Sequence, residues 1–221
     1  MISQRLQHKI SGSKVFTVTN YYNQVFDNRE QWIKRELPEF GGVTLLNISN
    51  SYPHKNLEIA IDVARYLKNE HPEFKFRFVY TIKQEQYPKL EKDLKDCFVF
   101  LGSVDVAECP SLYEQCDIVF QPTLLECFTA AYPEAMRMEK PIVTADLEFA
   151  RGLCGDAACY YSAVDAKAAA AAIYRVATDE SYRKQLTAYG HKQLLKYDNY
   201  EQRTAKLIDI LEEIVQTEQN D

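Results

Sequence analysis

The chain has 221 residues, 46% of them hydrophobic and 26% charged, with a formal net charge of -6. That is enough length and apolar content for one full-sized domain with a buried core. The acidic balance gives no electrostatic reason to expect nucleic acid as a partner, and no apolar run approaches the roughly 20 residues needed to span a bilayer.

Residues 1–12 read as a short amphipathic piece before Ser11-Gly12-Ser13. They lack the apolar core of a signal peptide, so a cytoplasmic location is expected. Lys14 to Val18 (KVFTV) is a strand candidate, and the polar, aromatic stretch 19–28 is a connector. Trp32 sits in a short helical pattern closed by Pro38 and Gly41-Gly42. Val43 to Ile48 reads as a strand buried on both faces. After a polar loop, the periodicity predicts a helix from about Leu57 to Lys68, with Asn56 as N-cap and Pro72 marking its end. Phe74 to Thr81 is the next strand. Leu90 to Lys95 reads as the end of a charged helix, Phe98 to Leu101 as a strand closed by Gly102, and Pro110 to Gln115 as a short helix.

The stretch from Asp117 to Thr144 organises the rest. It runs from strand Ile118–Phe120 through a loop with Glu126 and a helix with Glu134 to strand Ile142-Val143. The loop-to-helix junction falls near Thr129 to Ala131. This is a βαβ unit whose crossover length suits parallel strands. A helix at Glu148 to Leu153, a short strand at Ala158 to Tyr161, an alanine-rich helix capped by Asp165, a helix from Glu180 to about Tyr189 and a last one from about Arg203 to Gln216 follow. Alternating strands and helices argue for an α/β fold, a Rossmann-like domain with a parallel sheet flanked by helices. Residues 43–197 read as one domain with flanking pieces.

In such sheets ligands bind outside the carboxyl ends of the strands, where helix N-termini present free N–H groups. Glu126 belongs at the mouth of that crevice and Glu134 about one turn into the helix. Their carboxylates suit a hydroxyl-rich group, and the helix end suits an anion. Lys55, in the loop after the first core strand, is placed to neutralise phosphate; a solvated surface lysine is the plainer reading. His54 has no matching metal partners. Phe128 reads as a packing residue, and Asp146 and Asp156 are loop carboxylates that could share one side. The GxGxxG and GxxxxGK[ST] fingerprints are absent. The six cysteines (Cys97, Cys109, Cys116, Cys127, Cys154, Cys159) show no CxxC pair or zinc-type spacing, so reduced, mostly buried thiols are expected.

Glu126-Cys127-Phe128-Thr129 through Pro133-Glu134-Ala135-Met136, followed by Lys140-Pro141-Ile142-Val143, resembles the signature of retaining glycosyltransferases of family 4 (glycosyl transferases group 1), in which seven residues separate two glutamates. The likeness extends through Lys55, Phe100 to Val104, Leu112-Tyr113, Cys116 to Ile118 and Cys154 to Tyr161, covering about residues 14–215. It implies the C-terminal, donor-binding half of a GT-B enzyme. Residues 1–30 would then be the end of a missing N-terminal acceptor domain and its linker, 31–197 the nucleotide-sugar-binding domain, and 198–221 a C-terminal helix that packs back toward the absent half.

By the same resemblance, Glu134 holds the ribose hydroxyls, Glu126 is the catalytic residue beside the transferring sugar, and Lys55 meets the diphosphate. Backbone N–H groups around Phe128, Thr129 and Ala130 complete the contacts, and Gly102 to Val104 border the base. No cofactor or metal is implied; a nucleotide-sugar is the donor substrate, and peripheral membrane association is possible for the full enzyme. Ser49 and Asn50 stand where the family usually has an arginine, and Cys127 and Thr129 where glycines commonly follow the first glutamate. Polysaccharide or glycolipid assembly is the family-level expectation. The alternatives are a non-catalytic nucleotide-sugar-binding module or subunit needing a partner chain, and another GT-B enzyme such as a sugar-nucleotide epimerase or a phosphorylase.

Overall fold

A computed structural model of the chain describes residues 6, 7, 9, 10 and 14–218. Most of the expected amphipathic piece at the start lies outside the described residues. Six strands form one sheet: β1 (Val43–Asn47), β2 (Phe76–Tyr80), β3 (Phe98–Phe100), β4 (Ile118–Gln121), β5 (Ile142–Ala145) and β6 (Ala158–Tyr161). Their order is β3-β2-β1-β4-β5-β6, and every pairing is parallel. The apolar runs explain this layout. Leu45 pairs with Phe78 on one side and Ile118 on the other, and all three are fully buried. Strands covered on both faces read as near-continuous apolar runs, and the buried polar side chains among them, such as Asn47, Gln121 and Thr144, sit toward the strand ends where they find hydrogen-bond partners.

Helices cover both faces. α1 (Ile59–Glu70) and α5 (Ala166–Thr178) share one apolar layer with Leu45, Phe78 and Phe120. Small side chains at Ala60, Ala64, Ala169 and Ala172 let the two helices approach closely. On the opposite face α2 (Cys109–Glu114), α3 (Ala131–Arg137) and α4 (Glu148–Cys154) pack with Leu46, Val79, Val119 and Ile142. Tyr22, Val25, Phe26 and Trp32 extend that layer. α6 (Glu180–Leu194) follows α5, and α7 (Tyr200–Glu218) ends the described chain with Leu207, Leu211 and Val215 exposed.

Several expectations are corrected. Residues 14–18 form no strand. Their β-prone side chains pair with neither edge strand of the sheet, and propensity without a ladder does not make a strand. The segment instead walls a cleft. Trp32 follows two single 3-10 turns, Gln24–Asp27 and Arg29–Gln31, rather than sitting in a helix. The predicted helix ending at Lys95 is a loop with 3-10 turns at Gln84–Gln86 and Lys95–Cys97. Pro88 interrupts it, while Tyr87, Leu90 and Leu94 anchor it to the core one by one. Asn56 does not cap α1. It adopts φ 51, in the left-handed region that asparagine tolerates better than most residues, and turns the chain before the helix starts. Asp146 and Asp156 do not share one side. Asp146 follows β5 and Asp156 precedes β6, and in a parallel sheet those are opposite ends. The cysteines are all unpaired; five are buried and Cys127 is exposed.

Candidate donor site at the switch point of the sheet

Strand order reverses between β1 and β4, so the loops after these two strands diverge and leave a crevice at their carboxyl ends. Lys55 lies in the loop after β1 and Glu126 in the loop after β4. Pro53 opens a 3-10 turn over Pro53–Lys55, and backbone contacts clamp this turn to the second loop. Leu124 N–H donates to the His54 carbonyl at 2.7 Å, and Asn56 Nδ2 donates to the Pro122 carbonyl at 3.4 Å. The Thr123 hydroxyl sits 3.2 Å from the His54 carbonyl and 3.0 Å from Glu126 Oε1. His54 therefore serves through its backbone, while its ring stacks on Tyr52.

Across this clamp the Lys55 ammonium donates to the Glu126 carboxylate, forming an ion pair with side-chain exposures of only 16% and 11%. Taking two charges this far out of water is costly unless they remain paired. An anionic ligand that neutralised Lys55 would release Glu126 to a new partner.

Polar side chains form the floor. Asn47 Nδ2 donates to the Phe120 carbonyl at 2.8 Å and to Gln121 Oε1 at 3.1 Å. Thr144 donates its proton to the Gln121 carbonyl at 2.8 Å, so Tyr132, 2.8 Å from the Thr144 hydroxyl, is the donor in that pair. These bonds lock the ends of β1, β4 and β5 together. Gln121 Nε2 is buried without a partner among the described residues.

The Pro122–Ala130 loop runs into α3 with Ala130 already helical in conformation. Glu134 N–H bonds to the Ala130 carbonyl at 2.9 Å. Among the described residues, the backbone N–H groups of Phe128, Thr129, Ala130 and Ala131 have no protein acceptor. Phe128 packs in the core layer with its ring edge-to-face on Tyr197, as expected of a packing residue; its main chain is the part left for a ligand.

Glu134, in the first turn of α3, reaches α2. The Tyr113 hydroxyl donates to its Oε2 at 2.9 Å. Burial pushes the Glu134 carboxyl up to about 7, and the Tyr113 hydrogen bond pulls the other way. The two glutamates are therefore differently held: Glu126 by a cation, Glu134 by a phenol.

Beside Glu126 opens a mostly apolar cleft of ≈ 670 Å³, walled by Val18, Leu125, Phe128, Leu147 and Phe149 among others. Gly102, at φ 72, turns the chain after β3, where the resemblance places the base-side contacts. Asp146 forms a two-pronged pair with Arg151. Sequence reasoning misses the partners Thr123 and Tyr113. The only signal for them lies in the fold itself, which packs α2 against α3 and turns the loop back on itself.

The family model for glycosyl transferases group 1 matches residues 28–193. The chain belongs to this family. Solved structures agree on the GT-B, Rossmann-like architecture. One is a point mutant of TarM of S. aureus in complex with Fondaparinux, alpha-GlcNAc-glycerol and UDP, with TM-score 0.72 and 14% identity; the match covers 94% of this chain and 41% of that one. A second is sucrose-phosphate synthase of Thermosynechococcus elongatus, with TM-score 0.66 and 17% identity, covering 89% and 50%. A third, described as trehalose-6-phosphate from E. coli bound with UDP-2-fluoro glucose, gives TM-score 0.62 and 13% identity over 76% and 44%. This group 1 chain thus spans half or less of the length of each of these structures. A search of curated protein sequences found no match.

Proposed function

We propose that this chain is the nucleotide-sugar-binding half of a retaining glycosyltransferase of family 4. The observation that carries the reading is the convergence of Lys55, Glu126 and free backbone N–H groups at one switch-point crevice, with Glu134 behind them. A carboxyl in the first turn of α3 whose ionisation is pushed up by desolvation, with a single phenol as its hydrogen-bond partner, supports a binding role for Glu134. Related structures bound to UDP and to UDP-2-fluoro glucose supply the donor class.

In this reading Glu134 accepts hydrogen bonds from the ribose hydroxyls. Lys55 and the N–H groups of Phe128, Thr129 and Ala130 stabilise the negative charge that develops on the diphosphate as the sugar–phosphate bond breaks. That is an electrostatic contribution requiring no proton transfer at the leaving group. Glu126, freed from Lys55 as the diphosphate arrives, faces the transferring sugar. The acceptor is bound by a second, N-terminal half, which also covers the exposed apolar side of α7. Polysaccharide or glycolipid assembly, in the cytoplasm or at the inner membrane face, is the setting. No described helix is long and apolar enough to cross a membrane.

Thermal stability of the purified chain with UDP, GDP, ADP and their sugars tests the site. Glu134→Ala should weaken the best ligand by about 1.5–3 kcal/mol, the scale of a hydrogen bond to a charged group. Unchanged affinity in that variant removes Glu134 from the site. A second reading, a binding subunit that works with a separate partner chain, is favoured by the half-length match. Sugar transfer from a labelled donor by this chain alone would rule it out.

A further inference from the structure

Glu134 is positioned by a residue that the donor-site reading itself leaves out. Tyr113 belongs to α2, is 1% exposed, and its ring lies edge-to-face on Phe26 at 5.7 Å. Its position is therefore fixed by packing before any ligand arrives. Its hydroxyl is 2.9 Å from Glu134 Oε2 and 3.5 Å from the Ala131 carbonyl. A carboxylate offers about four lone-pair positions over two oxygens. Tyr113 occupies one on Oε2, leaving Oε1 and the rest of Oε2 open to a pair of neighbouring hydroxyls.

We propose that Tyr113 is the positioning residue for ribose recognition: its hydroxyl orients the Glu134 carboxylate so that a vicinal diol meets two acceptors. This rests on the donor-site reading. The physical need is clear. A carboxylate enclosed by apolar neighbours loses its charge unless a donor compensates for the lost water, and a protonated carboxyl accepts less strongly. Around Glu134, α2 contributes Tyr113 and Cys109, whose thiol burial pushes up to about 12. From α3 and the 3-10 turn at Gln24–Asp27, Arg137 and Asp27 neutralise one another, with the Tyr22 hydroxyl on Asp27. Glu126 is paired with Lys55. Tyr113 is thus the one neutral donor at hydrogen-bond distance from this carboxylate among the described residues.

Calorimetric titration of UDP, GDP and ADP, and of their 2′,3′-dideoxy forms, into the chain and into Tyr113→Phe, Glu134→Gln and the double variant tests this across neutral pH. Expected for the unsubstituted chain is an affinity that falls as pH drops through about 7, where Glu134 takes up its proton. In Tyr113→Phe the midpoint should move up by about one pH unit, with about fivefold weaker binding at neutral pH that recovers in alkali. Dideoxy forms should be insensitive to both substitutions, and the double variant should bind like Glu134→Gln. A loss in Tyr113→Phe that is equal at every pH and for dideoxy forms, or that adds fully to Glu134→Gln, would show a merely structural role and overturn the proposal, as would no change at all. Full ribonucleotide affinity in Glu134→Gln, or no nucleotide binding by the unsubstituted chain, would overturn the site reading and this inference with it.

Discussion

The Lys55–Glu126 pair gives a residue-scale prediction with opposite signs. Both groups are largely shielded from water, so each is costly to leave alone. Glu126→Gln removes the charge that competes with a diphosphate for Lys55, and nucleoside diphosphates should bind about 1–2 kcal/mol more tightly. Lys55→Ala should weaken the same ligands by about 1.5–3 kcal/mol. Calorimetry on both variants checks this, and equal losses in the two would refute the competition. Glu134 gives a second prediction, through stability. Its carboxyl is raised from 4.5 to about 7 in the folded chain, so folding favours the protonated form. Below pH 4.5 the group is protonated in both states and costs nothing; as pH rises through 4.5 to 7 the unfolded chain loses its proton first and stability falls. Glu134→Gln, which never ionises, should therefore be about 2–3 kcal/mol more stable than the unsubstituted chain at about pH 8, with the difference vanishing near about pH 4. Chemical denaturation at the two pH values measures it.

At the scale of elements, the start of β1 depends on one glycine. A Cβ at Gly42 would lie 2.4 Å from the Lys75 carbonyl oxygen, the same oxygen that accepts the Val43 N–H at 2.8 Å. That close approach sets the register of β1 on β2. Gly42→Ala should cost about 1–3 kcal/mol, read as a lowered thermal midpoint with nucleotide binding retained. The strands themselves are legible in the sequence because runs such as VTLLN and IVFQ are mostly apolar without alternation, a pattern that a two-faced sheet favours. The seven-residue separation of Glu126 and Glu134 is legible for the same kind of reason, since it is a local property of one loop and one helix. The 83–97 loop misleads because Tyr87, Leu90 and Leu94 are spaced like a helix face while each follows its own turn into the core. Asn56 misleads because the side chain that suits an N-cap also suits a left-handed turn. Tyr113 and Thr123 cannot be found from sequence as partners of the glutamates, because both pairings arise only when loops and helices close on one another.

For the whole molecule, α7 stands apart from the two core layers. Leu207, Leu211 and Val215 are about half exposed, and Lys14 reaches Glu213 in an exposed ion pair of the kind that adds little. Removing residues 200–218 should change the stability of the domain by less than about 1 kcal/mol, and hydrogen exchange in α7 should be fast compared with that in β1 and β4. A large loss of stability would show that the helix belongs to the core. The remaining architecture directs Lys55, Glu126 and the free N–H groups at the start of α3 toward the carboxyl ends of β1 and β4, with Glu134 one turn further along that helix. A crystal structure of this chain with a nucleotide-sugar would test that convergence most directly. The account predicts the ribose hydroxyls on Glu134, the diphosphate on Lys55 and the N–H groups of Phe128 to Ala130, and Glu126 turned from Lys55 toward the sugar. A nucleotide bound elsewhere, or bound there with Glu126 still paired to Lys55 and Glu134 touching only Tyr113, would contradict it.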